Sequence, residues 1–170
     1  GRGTLAKDIA RTFDKLEPGL RANASFKLIE TSPRLRLVQA TTLHGTGGTF
    51  DWCNSVDELP AGRPLFIVGN ELFDAIPVRQ YVKTDQGWRE RMVDVDKDEK
   101  LTFVAGTGSL DPALLPSGAD RAEQGSVFEI APAREALMQA IAERIERDGG
   151  AGLFIDYGHL VPGIGDTLQA

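Results

Sequence analysis

The chain has 170 residues, enough for one domain with a substantial hydrophobic core, and its composition (41% hydrophobic, 26% charged) is that of an ordinary globular protein. A formal net charge of −6 without any Lys/Arg-rich run argues against nucleic-acid binding, and no apolar run reaches the ~20 residues that span a bilayer. The single Cys53 cannot form an internal disulfide, and His44 and His159 have no further ligands at metal spacing, so we predict no metal site.

The first predicted helix follows a Gly-x-Gly turn at residues 1–3. Its apolar residues recur on one stripe over residues 5–16, and Pro18-Gly19 ends it. A glycine turn of this kind lets the backbone approach a ligand closely, with unpaired N–H groups nearby. The turn is therefore a candidate ligand-binding element.

A strand and a helix come next. Residues 25–30 alternate as a short strand that ends in an acid, and Ser32 and Pro33 have the positions of an N-cap and a first helical residue. The helix runs to about residue 43. After a glycine-rich loop, the apolar run 64–69 is typical of a strand buried on both faces in a parallel sheet.

The middle of the chain has a different pattern. Residues 78–83 and 88–95 alternate on either side of a turn, which predicts an antiparallel hairpin, with a third strand at 101–105. Residues 106–124 read as a loop. A helix then begins at Pro132 and ends at Gly149, and a final strand covers 151–156.

This order of elements predicts the fold class. Helices and strands alternate, which favours an α/β protein with a doubly wound, mostly parallel sheet, and the hairpin at 78–105 is an antiparallel β insertion within it. We predict a single domain over residues 1–170.

Acidic residues follow three of the predicted strands: Glu30, Glu71 and Asp156. Because ligands of open parallel sheets bind at the carboxyl ends of the strands, we expect all three to line one rim. Glu30 follows the glycine turn at the distance where a carboxylate accepts hydrogen bonds from ribose hydroxyls. Acids at strand ends also cap helices, and that alternative stays open.

The segment 69–78 is the most unusual. Asn70, Glu71 and Asp74 lie just beyond an apolar strand, where an unpaired carboxylate would be costly, so Glu71 is expected to have a cationic partner or a ligand. The alternative makes Asp74 a surface residue and Asn70 a cap.

Several motifs resemble one family in order along the chain. They are Gly1-Arg2-Gly3-Thr4-Leu5, Glu30-Thr31-Ser32-Pro33 with Leu35, Arg36 and Gln39, the run 70–78 with Trp88-Arg89-Glu90-Arg91, Glu129 with Pro132, Asp156-Tyr157-Gly158 and Gly165-Asp166-Thr167-Leu168. Together they resemble the MidA-like methyltransferase family, which includes a mitochondrial respiratory complex I assembly factor. Against that family pattern, the strand and loop segment before Gly1 and the sequence after Ala170 are missing, so we expect an incomplete methyltransferase domain.

The resemblance implies a class I fold, S-adenosyl-L-methionine as cofactor and symmetric dimethylation of a protein arginine. It implies that Gly1 and Gly3 approach the methionine part of the cofactor and that Glu30 holds the ribose. Trp52, expected in the loop after the next strand, stacks near the adenine or packs in the core.

The resemblance also suggests the acceptor site. An arginine guanidinium is a poor nucleophile, and carboxylates that grip it in a bidentate fork orient it. Glu71 is the first candidate, with Asp74 or Glu129 as a second acid and Asn70 orienting the substrate.

Two other functions fit parts of the sequence. A glycine turn followed by a strand-end acid also serves NAD(P)-dependent oxidoreductases, although neither histidine has an acidic partner nearby in sequence for hydride transfer. A non-catalytic assembly scaffold is the second alternative. The expected partner is a protein substrate, and the compartment is the cytoplasm in a bacterium or the mitochondrial matrix in a eukaryote. The oligomeric state is left open.

Overall fold

The computed structural model describes residues 1–158 and 163–168, and His159 lies outside them. Within these residues the helices are α1 (Thr4–Leu16), α2 (Pro18–Asn23), α3 (Pro33–Leu43) and α4 (Pro132–Asp148). The strands are β1 (Phe26–Ile29), β2 (Phe50–Cys53), β3 (Leu65–Asn70), β4 (Arg79–Thr84), β5 (Gly87–Val95), β6 (Leu101–Ser109), β7 (Val127–Ile130) and β8 (Gly150–Ile155).

Parallel pairing joins strands that are distant in sequence. β1 pairs with β2 in parallel register, from Phe26 opposite Phe50 to Ile29 opposite Cys53. β3 pairs with β8, and the hydrogen bonds at its two ends, Leu65 N–H to Gly149 O (3.0 Å) and Glu71 N–H to Ile155 O (2.8 Å), run in the same direction along both strands. These parallel pairs, together with the helices and a separate antiparallel sheet, confirm the predicted α/β class.

The antiparallel sheet has four strands in the order β6-β5-β4-β7. The predicted hairpin is confirmed, with Thr84 opposite Gly87 at the turn. β6 extends to Ser109, beyond the predicted end at residue 105, because its pairing with β5 continues past a bulge between Arg89 and Arg91. The sequence analysis missed β7, which forms by pairing with β4 across about fifty residues of chain.

The helices form largely where the sequence predicts them. Ser32 caps α3, its Oγ accepting a hydrogen bond from Leu35 N–H (3.3 Å). α1 ends at Leu16 as predicted, but Pro18-Gly19 does not continue as a loop. Proline fits the first turn of a helix, and Pro18 begins α2.

The prediction of a strand buried on both faces was wrong for β3. Phe66 is 76% exposed and Val68 43% exposed, so one side of this strand faces solvent. Within the described residues β3 pairs with β8 alone, and Leu153 and Ile155 of β8 are also exposed. Leu65, Ile67 and Gly69 on the other face of β3 are half-buried, so one face of this apolar strand is partly covered and the other is exposed.

The chain divides into two compact units. The first contains residues 1–65 and 140–150, and the second contains residues 66–139 with the described residues after 150. The first unit buries Ala10, Leu43 and Cys53. The second has a core of Tyr81, Trp88, Leu110 and Ala119, on which Phe128 of β7 packs. The single-domain boundary of 1–170 stays a prediction.

Candidate functional site

The predicted site residues fall into two groups. The four predicted cofactor-binding residues belong to the first unit: Gly1, Gly3, Glu30 and Trp52. The four predicted catalytic residues belong to the second unit: Asn70, Glu71, Asp74 and Glu129. Each group has its own geometry, and the single rim expected from the sequence stays a prediction.

The glycine turn has a conformation that requires glycine. Gly3 precedes α1 with a left-handed backbone (φ +86°), and its carbonyl accepts the Lys7 N–H at 3.0 Å. A Cβ atom at Gly3 would lie 3.3 Å from the Cα of Gln39. The turn therefore lies closely against α3, and glycine allows both the left-handed φ and this contact.

Glu30 directly follows β1, and its carboxylate is held on both oxygens. Oε1 accepts the Ser32 N–H at 2.9 Å, and Oε2 accepts Nε2 of Gln39 at 3.1 Å. The side chain is 14% exposed. A carboxylate has about four acceptor positions, so this fixed group can still accept hydrogen bonds from a ligand.

Gln39 was not predicted as a site residue, although it belongs to the motif that begins at Glu30. The residue is 4% exposed. Its Nε2 donates to Gly1 O at 2.8 Å as well as to Glu30, and its Oε1 accepts the Trp52 indole N–H at 2.7 Å. One amide thus contacts all the elements that were predicted to bind the cofactor.

Trp52 requires a correction. It lies within β2 and not in the loop after it, because Trp52 pairs with Leu28 in the parallel register of β1 and β2. The side chain is half-buried, and its indole N–H is held by Gln39. The half-burial is consistent with both roles considered for it.

Glu71 follows β3 in a strained conformation. Its φ of +49° is left-handed, which is uncommon for a non-glycine residue, and its N–H is tied to Ile155 O at 2.8 Å. The side chain is exposed, so the desolvation cost that was expected to demand a partner does not arise here. The Tyr157 hydroxyl donates to its Oε1 at 3.3 Å. The carboxylate is thus presented to solvent from a fixed backbone.

Asp156 anchors the loop that carries Glu71 and Asp74. Its carboxylate accepts the backbone N–H groups of Phe73 (2.6 Å), Asp74 (3.3 Å) and Tyr157 (3.2 Å). These hydrogen bonds, that from Phe73 foremost, hold the pKa of Asp156 below its usual range. On the other side of the same peptide segment, Arg134 Nε donates to Phe73 O at 3.0 Å.

Asn70 and Asp74 lie at either end of this loop, and both side chains are exposed. Asn70 is the last residue of β3, whereas Asp74 contacts Asp156 through its backbone. The structure therefore places three of the four predicted catalytic residues within one anchored five-residue segment.

Glu129 lies in a different network, on β7. Its Oε1 accepts Gln80 Nε2 at 2.7 Å, and its Oε2 accepts the Thr167 hydroxyl at 2.5 Å. Partial burial raises the pKa of Glu129, but the hydrogen bonds from Thr167 and Gln80 outweigh it and leave the pKa below its usual value. Throughout 1–158 and 163–168, Glu129 has no hydrogen bond to Asn70, Glu71 or Asp74.

The same network includes Arg91 and Asp166. Arg91 Nη1 donates to Gln80 Oε1 (3.1 Å) and to Asp166 Oδ2 (2.5 Å), and its guanidinium stacks 3.6 Å from the ring centre of Phe103. The pKa of Asp166 is lowered, chiefly by the hydrogen bond from Arg91. We call Gln80, Arg91, Glu129, Asp166 and Thr167 the Gln80 network. The network joins three of the sequence motifs, those at 88–91, 129–132 and 165–168, at the antiparallel sheet.

Two surface cavities accompany the antiparallel sheet. One of about 330 Å³ lies beside the β4–β5 turn, and one of about 200 Å³ is lined by Gln80, Arg91, Phe103 and Leu168 among others. Neither is lined by a predicted site residue. In the part of the chain that the structure describes, no three His, Cys, Asp or Glu residues form a metal-binding group, and no helix is both long and apolar enough to cross a membrane.

Comparison with known proteins places these features in a family. A family model described as "Putative S-adenosyl-L-methionine-dependent methyltransferase" matches residues 1–170. A zebrafish (Danio rerio) protein, named protein arginine methyltransferase NDUFAF7, mitochondrial, is 35% identical over 94% of this chain and 42% of its own length.

Two solved structures from Burkholderia thailandensis are similar in fold. An uncharacterised protein is 27% identical with a TM-score of 0.68, over 94% of this chain and 41% of that one. The second, bound to S-adenosyl-homocysteine, is 27% identical with a TM-score of 0.66, over 94% of this chain and 40% of that one. The chain thus spans about two fifths of the length of its relatives.

Proposed function

The chain belongs to this family of S-adenosyl-L-methionine-dependent methyltransferases, and from that premise we propose that its protein methylates arginine side chains of a protein substrate. The relatives named protein arginine methyltransferase support the acceptor, and the neighbour bound to S-adenosyl-homocysteine supports the cofactor. The proposal extends to symmetric dimethylation, to a role in complex I assembly and, in a eukaryote, to the mitochondrial matrix, as the family resemblance implies.

The first unit has residues that suit the cofactor. The left-handed turn at Gly3 keeps backbone free of side-chain bulk, and the carboxylate of Glu30 is oriented with acceptor capacity to spare. Glu30 would accept the ribose hydroxyls, Gly1 and Gly3 would lie along the methionine part, and Trp52 would flank the adenine. The single observation that supports this proposal is the fixed Glu30 carboxylate together with the turn at Gly3, whose left-handed φ requires glycine.

The second unit has residues that suit an arginine. Glu71 is exposed on an anchored loop, and the Tyr157 hydroxyl contacts one of its oxygens. A guanidinium is charged at neutral pH and its lone pairs are delocalised, so it must be oriented before it attacks. Glu71 would grip it in a bidentate fork, with Asp74 of the same anchored loop as the second acid and Asn70 orienting the substrate. Glu129 already accepts three hydrogen bonds, one from Gln80 and two from Thr167, so little of its acceptor capacity would be left for the guanidinium.

Chemistry at this site depends on placement. When bound, S-adenosyl-L-methionine would supply a methyl group from its sulfonium, and the sulfur would be left as a neutral thioether. Methyl transfer to arginine would break the S–C bond, form an N–C bond and release one proton from that nitrogen, which would pass to water beside the exposed Glu71 carboxylate. The contribution of this chain is therefore to hold the nitrogen in line and to stabilise positive charge beside the Glu71 carboxylate.

Calorimetric titration tests the cofactor class. We expect the complete encoded protein to bind S-adenosyl-homocysteine at least about tenfold more tightly than NADH, a difference of about 1.4 kcal/mol. NADH binding of equal or greater strength would overturn the proposal in favour of an oxidoreductase.

A further inference from the structure

We infer that Gln39 is a positioning residue that sets how Glu30 meets the ribose of the cofactor. The inference rests on the proposed function, because it assumes that Glu30 is the ribose ligand. Gln39 itself is placed behind the site: it is 4% exposed, and it acts through the groups that it holds.

The hydrogen bonds of Gln39 use its whole amide. Both N–H groups donate, to Gly1 O at 2.8 Å and to Glu30 Oε2 at 3.1 Å, and the oxygen accepts the Trp52 indole N–H at 2.7 Å. These partners also fix the orientation of the amide. With the amide reversed, its oxygen would face a carbonyl and a carboxylate, and its NH₂ would face the indole N–H.

The partners of Gln39 come from three separate parts of the chain. They belong to the glycine turn before α1, the end of β1, and β2. The backbone of Gln39 also lies close to this turn, since a Cβ atom added at Gly3 would be 3.3 Å from the Gln39 Cα. One buried side chain on α3 therefore joins all three predicted cofactor-binding elements.

The consequence for Glu30 is directional. Ser32 N–H occupies one acceptor position on Oε1, and Gln39 occupies one on Oε2. About two acceptor positions of the carboxylate remain, and a ribose diol would donate its hydrogen bonds to those. Without the Gln39 amide, the carboxylate would lose one of its two fixed bonds and rotate more freely, so its hydrogen bonds to the ribose would weaken.

The test combines a protein change with a ligand change. Gln39→Met keeps the length of the side chain and removes all three hydrogen bonds. Calorimetry on the complete protein then measures affinity for S-adenosyl-homocysteine and for its analogue that lacks both ribose hydroxyls. We expect the wild type to prefer the natural ligand by about tenfold or more, and Gln39→Met to reduce this preference at least about fivefold.

A merely structural role predicts a different result. General loosening of the unit would lower the affinities for both ligands equally and leave the ratio of the two affinities unchanged. Gln124→Met, the same change at an exposed loop position, is the matched control and should keep the wild-type ratio. If Gln39→Met does not fold, Gln39→Asn withdraws the amide by one methylene and should reduce the ratio likewise.

The outcomes separate this inference from the proposed function. Tight binding of S-adenosyl-homocysteine with an unchanged ratio in the Gln39 variants would overturn the role of Gln39 and leave the proposed function standing. A wild type that does not bind S-adenosyl-homocysteine would overturn both.

Discussion

At the scale of single residues, the strand-end acid Glu30 is the proposed ligand of the cofactor ribose. Its carboxylate is almost buried and already oriented by a backbone N–H and an amide. A charged acceptor held in this way forms stronger hydrogen bonds to hydroxyls than a neutral one. The charge of Glu30, more than its shape, should therefore matter for affinity.

The substitution Glu30→Gln tests this directly. It keeps the size of the side chain, removes the charge and sets an NH₂ group against Gln39 or Ser32. We expect the affinity for S-adenosyl-homocysteine, measured by calorimetry, to fall about tenfold or more. Glu58→Gln, at an exposed position of the same unit, is the control, and equal losses in both variants would contradict the assignment.

Asp156 anchors the loop that carries Glu71 and Asp74, where we propose that the arginine binds. Asn cannot accept with both of its terminal atoms, so Asp156→Asn should free the N–H of Phe73 or of Asp74 and loosen the segment around Glu71. We expect kcat/KM for an arginine peptide to fall about tenfold or more while the affinity for S-adenosyl-homocysteine stays within about twofold. Asp85→Asn, in the exposed hairpin turn, serves as the control; a matching fall there, or a wild-type rate in Asp156→Asn, counts against the role.

At the scale of elements, local signals predicted most of the fold. The helix at 4–16 was predictable from its apolar stripe and the Pro18-Gly19 that follows it. The helix at 33–43 was predictable from the Ser32 cap and Pro33, and the helix at 132–148 from Pro132 and Gly149. The hairpin was predictable from its alternation and turn. β7 was missed because it exists through pairing with β4, and four residues carry little periodic signal of their own.

The site was less predictable than the fold. Glu30 could be selected as a candidate because a strand end and a preceding glycine turn are visible in the sequence. The role of Gln39 could not, since its partners Gly1, Glu30 and Trp52 are brought together only by the packing of α1, β1 and β2 around α3. Glu71 was expected to need a cationic partner or a ligand because it follows an apolar strand, but its side chain is exposed, since an apolar strand does not determine the exposure of the residue after it.

The start of β8 allows a test at this scale. Gly150 has φ +120°, and a Cβ atom there would lie 1.9 Å from Leu65 O, which belongs to the backbone of β3. Gly150→Ala should therefore disrupt the β3–β8 pairing and lower the free energy of unfolding by about 3 kcal/mol or more, as measured by urea denaturation.

Gly19→Ala is the matched control for that substitution. Gly19 lies in α2, and no atom would come within 4 Å of an added Cβ. Alanine should be neutral there or stabilise the protein by roughly 0.5–1 kcal/mol. Similar stability in both variants would show that the close approach of β3 to Gly150 is not important.

At the scale of the whole molecule, the Gln80 network ties residues 166–167 to the antiparallel sheet. Glu129 and Asp166 both have pKa values below their ordinary values of 4.5 and 3.8. A lowered pKa in the folded state means that the stabilising contribution is present above the ordinary value and is lost as the pH falls through the folded value. The network should therefore stabilise the folded state at neutral pH and lose this stabilising contribution in acid.

Urea denaturation across pH 3 to 7 measures this effect. We expect the free energy of unfolding to fall toward the acid end of this range. The double variant Glu129→Gln, Asp166→Asn should show a weaker dependence of that free energy on pH. A variant with the pH dependence of the wild type would contradict the contribution of the network. Glu99→Gln, at an exposed position of the β5–β6 connection, controls for the loss of a surface charge.

In the proposed enzyme, the fixed carboxylate of Glu30 holds the methyl donor while Glu71 grips an arginine. The most direct measurement is mass spectrometry of an arginine peptide incubated with S-adenosyl-L-methionine and the complete protein, as wild type or Glu71→Ala. We predict methylated arginine with the wild type and none with Glu71→Ala, although the variant binds S-adenosyl-homocysteine with near-normal affinity. Undiminished methylation by Glu71→Ala, or none by a wild type that binds the cofactor, would contradict the account.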